Sequence, residues 1–334
     1  AMNILFIADP LETFAIYKDS TFAMMREAQA RGHSISACEV HALHWSAHSH
    51  SATPHVSATV RDIAISTDSE QVGANWFEEE QAPSTRRRVA LKDFDAVLMR
   101  KDPPFDSEYF YATHLLAQAE REGARVFNRP SALREHPEKL AIMEFPQYIA
   151  PTLVTRSAQD IRAFHVEWRD IILKPLDGMG GMGIFRVKED GLNLGSIIET
   201  LNCGGKNTVM VQRFVPEITQ GDKRVLIING EPVPYCLARI PQGSEVRGNL
   251  AAGGKGVAQP LSEADRTIAR AIGQQLAARG LLLIGLDIIG NSVTEINVTS
   301  PTCFQEIEQQ TGCPVAALFI DALEQQMRLS NANI

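Results

Sequence analysis

Apolar residues fall in short runs punctuated by glycine, proline and acidic residues. Ile4-Leu5-Phe6-Ile7-Ala8 is continuous and ends at Asp9-Pro10, as a strand buried on both faces does. Asp19 or Ser20 then caps a helix through Met24, Met25 and Ala28 that stops at Gly32, and a second apolar run opens at Ile35. This predicts a βαβ unit. An irregular, polar stretch follows from about His41 to Lys92. Ala96-Val97-Leu98-Met99 reads as another buried strand, followed by a helix from Ser107 to Glu122, a stop at Gly123 and a strand from Arg125 to Asn128. Strands alternating with helices predict a parallel sheet covered on both faces, with functional groups at the carboxyl ends of its strands. Asp9, Arg100 and Asn128 occupy those ends.

From about Leu140 the pattern changes to paired strands, which predicts an α+β half with antiparallel sheets. Ile171 to Leu176 leads through a glycine-rich turn into Ile184 to Val187, and Arg224 to Ile228 turns at Asn229-Gly230 into Val233 to Arg239. Asn-Gly between apolar runs is a strong hairpin signal. Helices are predicted over Ala158 to Trp168, capped by Ser157, and over Glu263 to Arg279, stopped by Gly280.

At 334 residues the chain is long enough for about two domains, and 44% hydrophobic with 22% charged residues is an ordinary globular balance. The 40 acidic and 32 basic residues leave a net charge of −8, which argues against nucleic acid as a partner. No apolar run approaches the roughly 18 residues of a membrane span, and the expected location is cytoplasmic. Five scattered cysteines without a CxxC pair read as reduced thiols. His41, His44, His48, His50 and His55 cluster in a Ser/Ala/Thr-rich stretch poor in carboxylates. A solvated hairpin or edge strand explains them better than a metal site.

Three stretches carry chemistry. Gly178-Met179-Gly180-Gly181-Met182-Gly183 matches G-x-G-x-x-G, but a dinucleotide fingerprint must open a helix and Ile184-Phe185-Arg186-Val187 alternates like a strand. A dehydrogenase is therefore rejected. The loop remains either a phosphate-holding hairpin tip, with Lys174 supplying charge, or a plain glycine-rich hairpin. The second stretch runs from Gly285 to Asn297. A three-residue turn at Gly290-Asn291-Ser292 would pair Ile289 with Val293 and set Asp287 opposite Glu295, with Asn297 on the same face. Two carboxylates about 5 Å apart repel by roughly 3 kcal/mol at an effective dielectric of about 20, and a magnesium ion removes the conflict. The third is the glycine-rich stretch from Pro241 to Gly256, with Arg247 and Lys255 on it. It reads either as a lid delivering positive charge onto a phosphate or as a surface connection.

With these residues assembled, the chain resembles the bacterial type of glutathione synthetase, within the ATP-grasp ligases. The resemblance rests on LMRKDPPFD at 98–106, ILKPLDGMGG at 172–181, GDKRVLIINGEPVPYCLARIPQG at 221–243, RGNLAAGGKG at 247–256, and GLDIIG with TEINVTSPT within 285–302. It implies a Rossmann-like pre-ATP-grasp domain over residues 1–130 and a two-lobed ATP-grasp domain over 131–330 with the lid at 241–256. The implied reaction joins γ-glutamylcysteine to glycine through an acyl phosphate, at the expense of ATP, with magnesium or manganese as cofactor. A homo-oligomer, dimer or tetramer, is implied as well. By resemblance, Lys139 and Lys174 meet the ATP phosphates, Gly178, Met179, Gly180 and Gly181 cover them, and Gln212, Arg213, Phe214 and Val215 form the adenine hinge. The family pattern has Asn-Tyr-Leu after the glutamine, and Arg213-Phe214-Val215 departs from it. Asp222 is implied at the ribose, Asp287, Glu295 and Asn297 as metal ligands, and Arg224 and Arg239 as stabilisers of the phosphate and acyl phosphate. Asp19, Ser20, Arg100, Ser300 and Pro301 lie in segments implied near the peptide. Two other readings stay open on the residues alone: a ligase of this fold with a different amino-acid acceptor, and a non-catalytic nucleotide-binding regulator.

Overall fold

The N-terminal apolar run becomes the centre of a mixed sheet. In the computed structural model, which describes residues 1–47, 53–66, 75–177, 181–243 and 254–332, the strands of this sheet are β1 (Asn3–Ile7), β2 (Ser34–Cys38), β3 (Leu43–Trp45), β4 (Val56–Ile65), β5 (Phe77–Glu79), β6 (Arg87–Ala90), β7 (Ala96–Met99) and β8 (Val126–Phe127). Their order is β3-β4-β2-β1-β7-β8, with β5 and β6 also on β4. β1, β2, β7 and β8 run parallel, as expected. Helix α1 (Ser20–Ala30) begins where Asp19 accepts a hydrogen bond from the Phe22 amide, so Asp19 is its cap, and α2 (Ser107–Arg121) is capped likewise by Asp106. Ile4 and Phe6 pack with Phe22 and Met25 of α1, while Leu5 and Ile7 pack with Tyr109 and Leu116 of α2. Both faces of β1 are thus covered, which explains its unbroken apolar run.

The stretch expected to be irregular holds four strands, and β4 is antiparallel to β2, so the sheet is mixed rather than parallel. Polar residues hid β4. Asp62 is buried because Ser36 (2.6 Å), Arg87 (2.6 and 2.8 Å) and Gln81 (2.9 Å) satisfy it. His41, His44 and His55 are exposed, in keeping with a solvated edge, and His48 and His50 lie outside the described residues.

After the short α3 (Pro130–Glu135), a second sheet contains β9 (Thr152–Thr155), β10 (Ile171–Pro175), β11 (Phe185–Val187) and β12 (Val209–Arg213), in the order β11-β10-β12-β9. β10 and β11 pair antiparallel, Leu173 with Phe185. A strand, not a helix, follows the glycine loop, as its alternation predicted. Helices α4 (Ala158–Trp168) and α5 (Leu194–Asn202) cover this sheet, and Ile161, Phe164, Leu173, Ile198 and Val211 belong to a cluster distinct from the cores below the other sheets.

The third sheet contains β13 (Asp222–Ile228), β14 (Glu231–Pro232), β15 (Tyr235–Ile240), β16 (Lys255–Pro260), β17 (Leu283–Ile289) and β18 (Ser292–Asn297), along the path β16-β15-β13-β17-β18 with β14 on β13. Asn229 and Gly230 have φ of +50° and +82°, the two left-handed residues that a tight hairpin turn needs. Lys255 and Gly256 belong to β16, paired with Ile240 and Arg239, so the loop after β15 is shorter than expected. Its residues 244–253, Arg247 included, lie outside the described residues. Helices α6 (Glu263–Ala278), α7 (Phe304–Thr311) and α8 (Val315–Ala332) complete the chain, and α8 returns to α1, where Arg31 bonds Asp321 at 2.7 Å.

The first and third sheets are stitched together. Asn128 Nδ2 donates to the carbonyls of Leu283 and Val298, both at 2.8 Å, and its Oδ1 accepts from the Leu283 amide at 3.1 Å. Placed by the sequence at a functional strand end, Asn128 instead joins two sheets. No helix among the described residues is long and apolar enough to cross a membrane.

Candidate active site

A cleft with about 1270 Å³ of empty space is lined by residues of the second and third sheets. One end is apolar, with Ala150, Ile172, Phe214, Val215 and Ile289 on its walls. Gln212, buried at 5% exposure, and Arg213 also line it. The Arg186 guanidinium lies 3.6 Å from the Phe214 ring centroid, and the Phe214 amide donates to Asp170 O at 2.8 Å. The apolar end therefore suits a planar base. Gly181 also lines the cleft, while Gly178, Met179 and Gly180 lie outside the described residues.

The other end is densely charged. Lys139 and Lys174 are 3% and 5% exposed, and Arg224 and Arg239 are buried too. Burial pushes the Lys174 ammonium below its ordinary value and the charge of Lys139 adds to this, while Glu295, Asp222 and Asp287 oppose it. Lys139 Nζ lies 3.5 Å from Glu138 and 3.7 Å from Glu295. Arg224 Nε donates to Asp287 at 2.9 Å, and Arg239 Nη2 lies 2.9 Å from Asp287 and 3.1 Å from Asp222. Gly285 makes room for this pair, because a Cβ there would meet Arg224 Cδ at 2.9 Å and displace the arginine.

The β17–β18 hairpin reaches its expected geometry by a different route. Its turn has two residues, Gly290 and Asn291, so Ile289 pairs with Ser292 and Ile288 with Val293, not Ile289 with Val293. A β-bulge then absorbs Thr294, and the two one-residue shifts cancel to set Asp287 opposite Glu295 and Asn297 opposite Gly285. Burial works against ionising Asp287, but Arg224 and Arg239 outweigh it and hold the carboxyl well below the usual range. Glu295 goes the other way: burial, then Glu138 and Asp287, push it well above. Asn297 Nδ2 donates to Gly285 O at 3.1 Å, which leaves Oδ1 for a ligand. Among the described residues no three His, Cys, Asp or Glu side chains form a metal cluster, so the candidate set is two carboxylates and an amide. These are hard oxygen donors, and the repulsion stored at Glu295 is what a divalent cation relieves.

A second cavity, with about 870 Å³ of empty space, shares Arg239 with the first. Lys18, Asp19, Arg100, Asp102, Cys303 and Glu306 line it. Arg100, 5% exposed, donates to Thr21 Oγ1 and Pro301 O, both at 3.0 Å, and has no ion-pair partner among the described residues. Burial lowers its pKa, and burial likewise raises that of Asp19. A buried guanidinium facing a cavity without a carboxylate partner suits an anionic ligand. Ser20 lies on the wall, but its Oγ accepts from the Phe304 amide at 3.2 Å and so joins α1 to α7. Ser300 and Pro301 stand one layer back: Ser300 Oγ donates to Asp102 at 2.8 Å, and Pro301 acts through its carbonyl. The sequence reading passed over Glu138, Lys18, Asp102, Cys303 and Glu306. Asp102 alone had a signal, two residues past Arg100 at a strand end.

A family model described as the prokaryotic glutathione synthetase ATP-grasp domain matches residues 138–312, and one described as the N-terminal domain of the same enzymes matches residues 2–134. The chain belongs to the prokaryotic glutathione synthetase family. The glutathione synthetase of Ralstonia nicotianae is 58% identical over 323 residues, 97% of this chain and 95% of that protein. That of Nitrosomonas europaea is 54% identical over 330 residues, 99% of this chain and all of that protein. Among solved structures, a Chryseobacterium gregarium RiPP-associated ATP-grasp ligase in complex with ADP and a leader and core peptide superimposes with a TM-score of 0.66 at 15% identity, covering 98% of this chain and 97% of that one. D-cycloserine synthetase does so with 0.64 at 15% identity, covering 97% and 99%. These two likenesses show the fold, and the family uses ATP and a divalent cation.

Proposed function

We infer that the chain is an ATP-dependent ligase that joins γ-glutamylcysteine to glycine and releases glutathione, ADP and phosphate. The observation that carries the reading is the meeting of the two cavities at Arg239, which is paired with Asp287 on one side and lines the Arg100 cavity on the other. A phosphoryl group at the charged end and a carboxylate in the second cavity would both lie against one guanidinium.

The apolar end takes the adenine, with Gln212 to Val215 beside it and Asp222 at the ribose. Lys139 and Lys174 hold the phosphates, and Gly178 to Gly181 cover them. Magnesium, or manganese in its place, would be held by Asp287, Glu295 and Asn297 and would neutralise phosphate charge. Positioning and charge neutralisation are most of what phosphoryl transfer needs. The cysteinyl carboxylate attacks the terminal phosphorus, the bond to ADP breaks, and an acyl phosphate forms. Arg224 and Arg239 stabilise the charge on that phosphate. The amine of glycine then attacks the carbonyl carbon, phosphate leaves with the bonding pair, and the amine loses a proton. Asp19 and Arg100 serve the dipeptide directly, and Ser20, Ser300 and Pro301 shape its pocket. A loop over 241–254 that shuts water out would protect the intermediate.

We place the domain division at residue 130, which the two family matches support by ending at 134 and starting at 138. A homo-oligomer and a cytoplasmic location, where ATP and a reduced thiol substrate coexist, belong to the same proposal. The test is ADP release with γ-glutamylcysteine while glycine, alanine, serine and glutamate are varied as acceptor. Turnover highest with glycine supports the reading, and ADP release indifferent to the dipeptide overturns it.

A further inference from the structure

At the apolar end of the cleft, Gln212 is tied to a residue that the reading above does not use. Thr152 and Gln212 are cross-strand partners on β9 and β12. Thr152 Oγ1 donates to the Ala150 carbonyl at 2.8 Å. A carbonyl only accepts, so the one hydroxyl proton is committed there. The end of the Gln212 amide lies 3.0 Å from the same Oγ1. With its proton committed, Oγ1 can only accept, and the atom facing it must be the donor Nε2. The amide is therefore fixed with NH2 toward Thr152 and Oε1 turned away from it. Gln212 lines the cleft where Ile172 and Phe214 form the apolar walls, and among the described residues no donor reaches Oε1.

We propose that Thr152 is a positioning residue that sets the choice of purine, by locking the Gln212 amide so that it presents an acceptor to the base. A 6-amino purine donates to Oε1, whereas a 6-oxo purine would set one oxygen against another. Sites built to hydrogen-bond a substrate discriminate strongly, because the wrong partner leaves a buried polar group unpaired. Thr152 is not on the cleft wall and acts through Gln212 alone. The inference rests on the nucleotide reading of this cleft.

Replacing the hydroxyl by a methyl frees the amide to turn, so that NH2 can face a 6-oxo group. The experiment measures by calorimetry, at pH 8 with magnesium, the affinities of the full chain for ADP and IDP, which differ at the 6-position. Thr152→Val should shrink the preference for ADP at least tenfold, largely through tighter IDP binding, and Thr152→Ser should keep it. Thr152→Val combined with Gln212→Glu should restore the preference, because a carboxylate offers an acceptor whichever way it turns. A merely structural role for Thr152 predicts loss of affinity for both nucleotides and no such rescue. Thr152→Ala repeats the measurement if valine is not tolerated. An unchanged ratio in Thr152→Val, or a double variant as unselective as the single, overturns the proposal while the nucleotide reading stands. If the unmodified chain binds neither nucleotide, both fall.

Discussion

Replacing Glu295 by glutamine should move stability and activity in opposite directions. At an effective dielectric of about 20, Lys139 at 3.7 Å attracts the Glu295 carboxylate by about 4 kcal/mol, and Asp287, close enough to share a hydrogen bond with Glu295, repels it by about as much when both are ionised. These nearly cancel, and burial with Glu138 then outweighs the attraction of Lys174, which favours the neutral form. The amide is neutral and has the same shape, so without metal the variant should be more stable by on the order of 1 kcal/mol, about 2 °C in a chain of this size. The pH dependence has a definite sign. A carboxyl whose folded pKa is raised binds its proton more tightly in the folded state, so the wild type loses stability as pH rises through that folded value. The advantage of Glu295→Gln is therefore present at alkaline pH and disappears as pH falls to the ordinary carboxyl range near about 4.3. The assay is thermal unfolding in chelator from pH 4 to 9, alongside ligase turnover against magnesium concentration. Turnover should nearly vanish, because a cation would lose a ligand charge. A variant less stable than wild type at pH 8 in chelator, or one with near-wild-type turnover at low magnesium, would refute the reasoning.

Lys174→Ala should weaken ATP binding and lower turnover by about a hundredfold, as expected for a buried cation aimed at a transferring phosphate; unchanged steady-state kinetics would count against that role. Asn128→Leu leaves three buried backbone groups without partners and should cost about 3 kcal/mol in denaturant unfolding, while the affinity for ADP in the folded fraction stays within twofold. Removing several glycines between residues 244 and 254 should leave the unfolding midpoint nearly unchanged, since closure entropy varies slowly with loop length, but raise ADP released per peptide formed. A one-to-one ratio in that variant would show that the loop excludes no water.

Local chemistry made much of this molecule legible. The Asn229-Gly230 turn, the Ser157 cap and the unbroken run of β1 each carry their own cause, and the structure repeats them. β4 was illegible because Arg61 and Asp62 are satisfied by residues far along the chain, Glu12 at 2.8 Å and Glu79 at 3.0 Å for the one and Ser36 and Arg87 for the other. No window of sequence contains those partners. The Asp287–Glu295 pairing was foreseen through a wrong turn length and an unseen bulge, whose errors cancelled. Glu138 looks like any charge beside a lysine, and only the third dimension brings it to Glu295. The hydroxyl of Ser20, on the wall of the second cavity, also accepts from the Phe304 amide, a contact 284 positions away that no stretch of sequence displays.

Arg239, shared by both cavities, has a thermodynamic consequence. Its guanidinium lies against Asp222 and Asp287 from the first cavity and forms part of the wall of the second. On the proposed reading, a cation held by Asp287 would compete for the carboxylate that holds Arg239 and loosen the guanidinium toward the second cavity, where the dipeptide carboxylate is placed. Filling one cavity would then raise affinity in the other. Linkage makes that effect reciprocal: whatever factor the nucleotide and its metal contribute to dipeptide binding, the dipeptide returns to them. The order in which the substrates arrive would then change the path to the ternary complex but not its free energy, with Arg239 as the group the two cavities share.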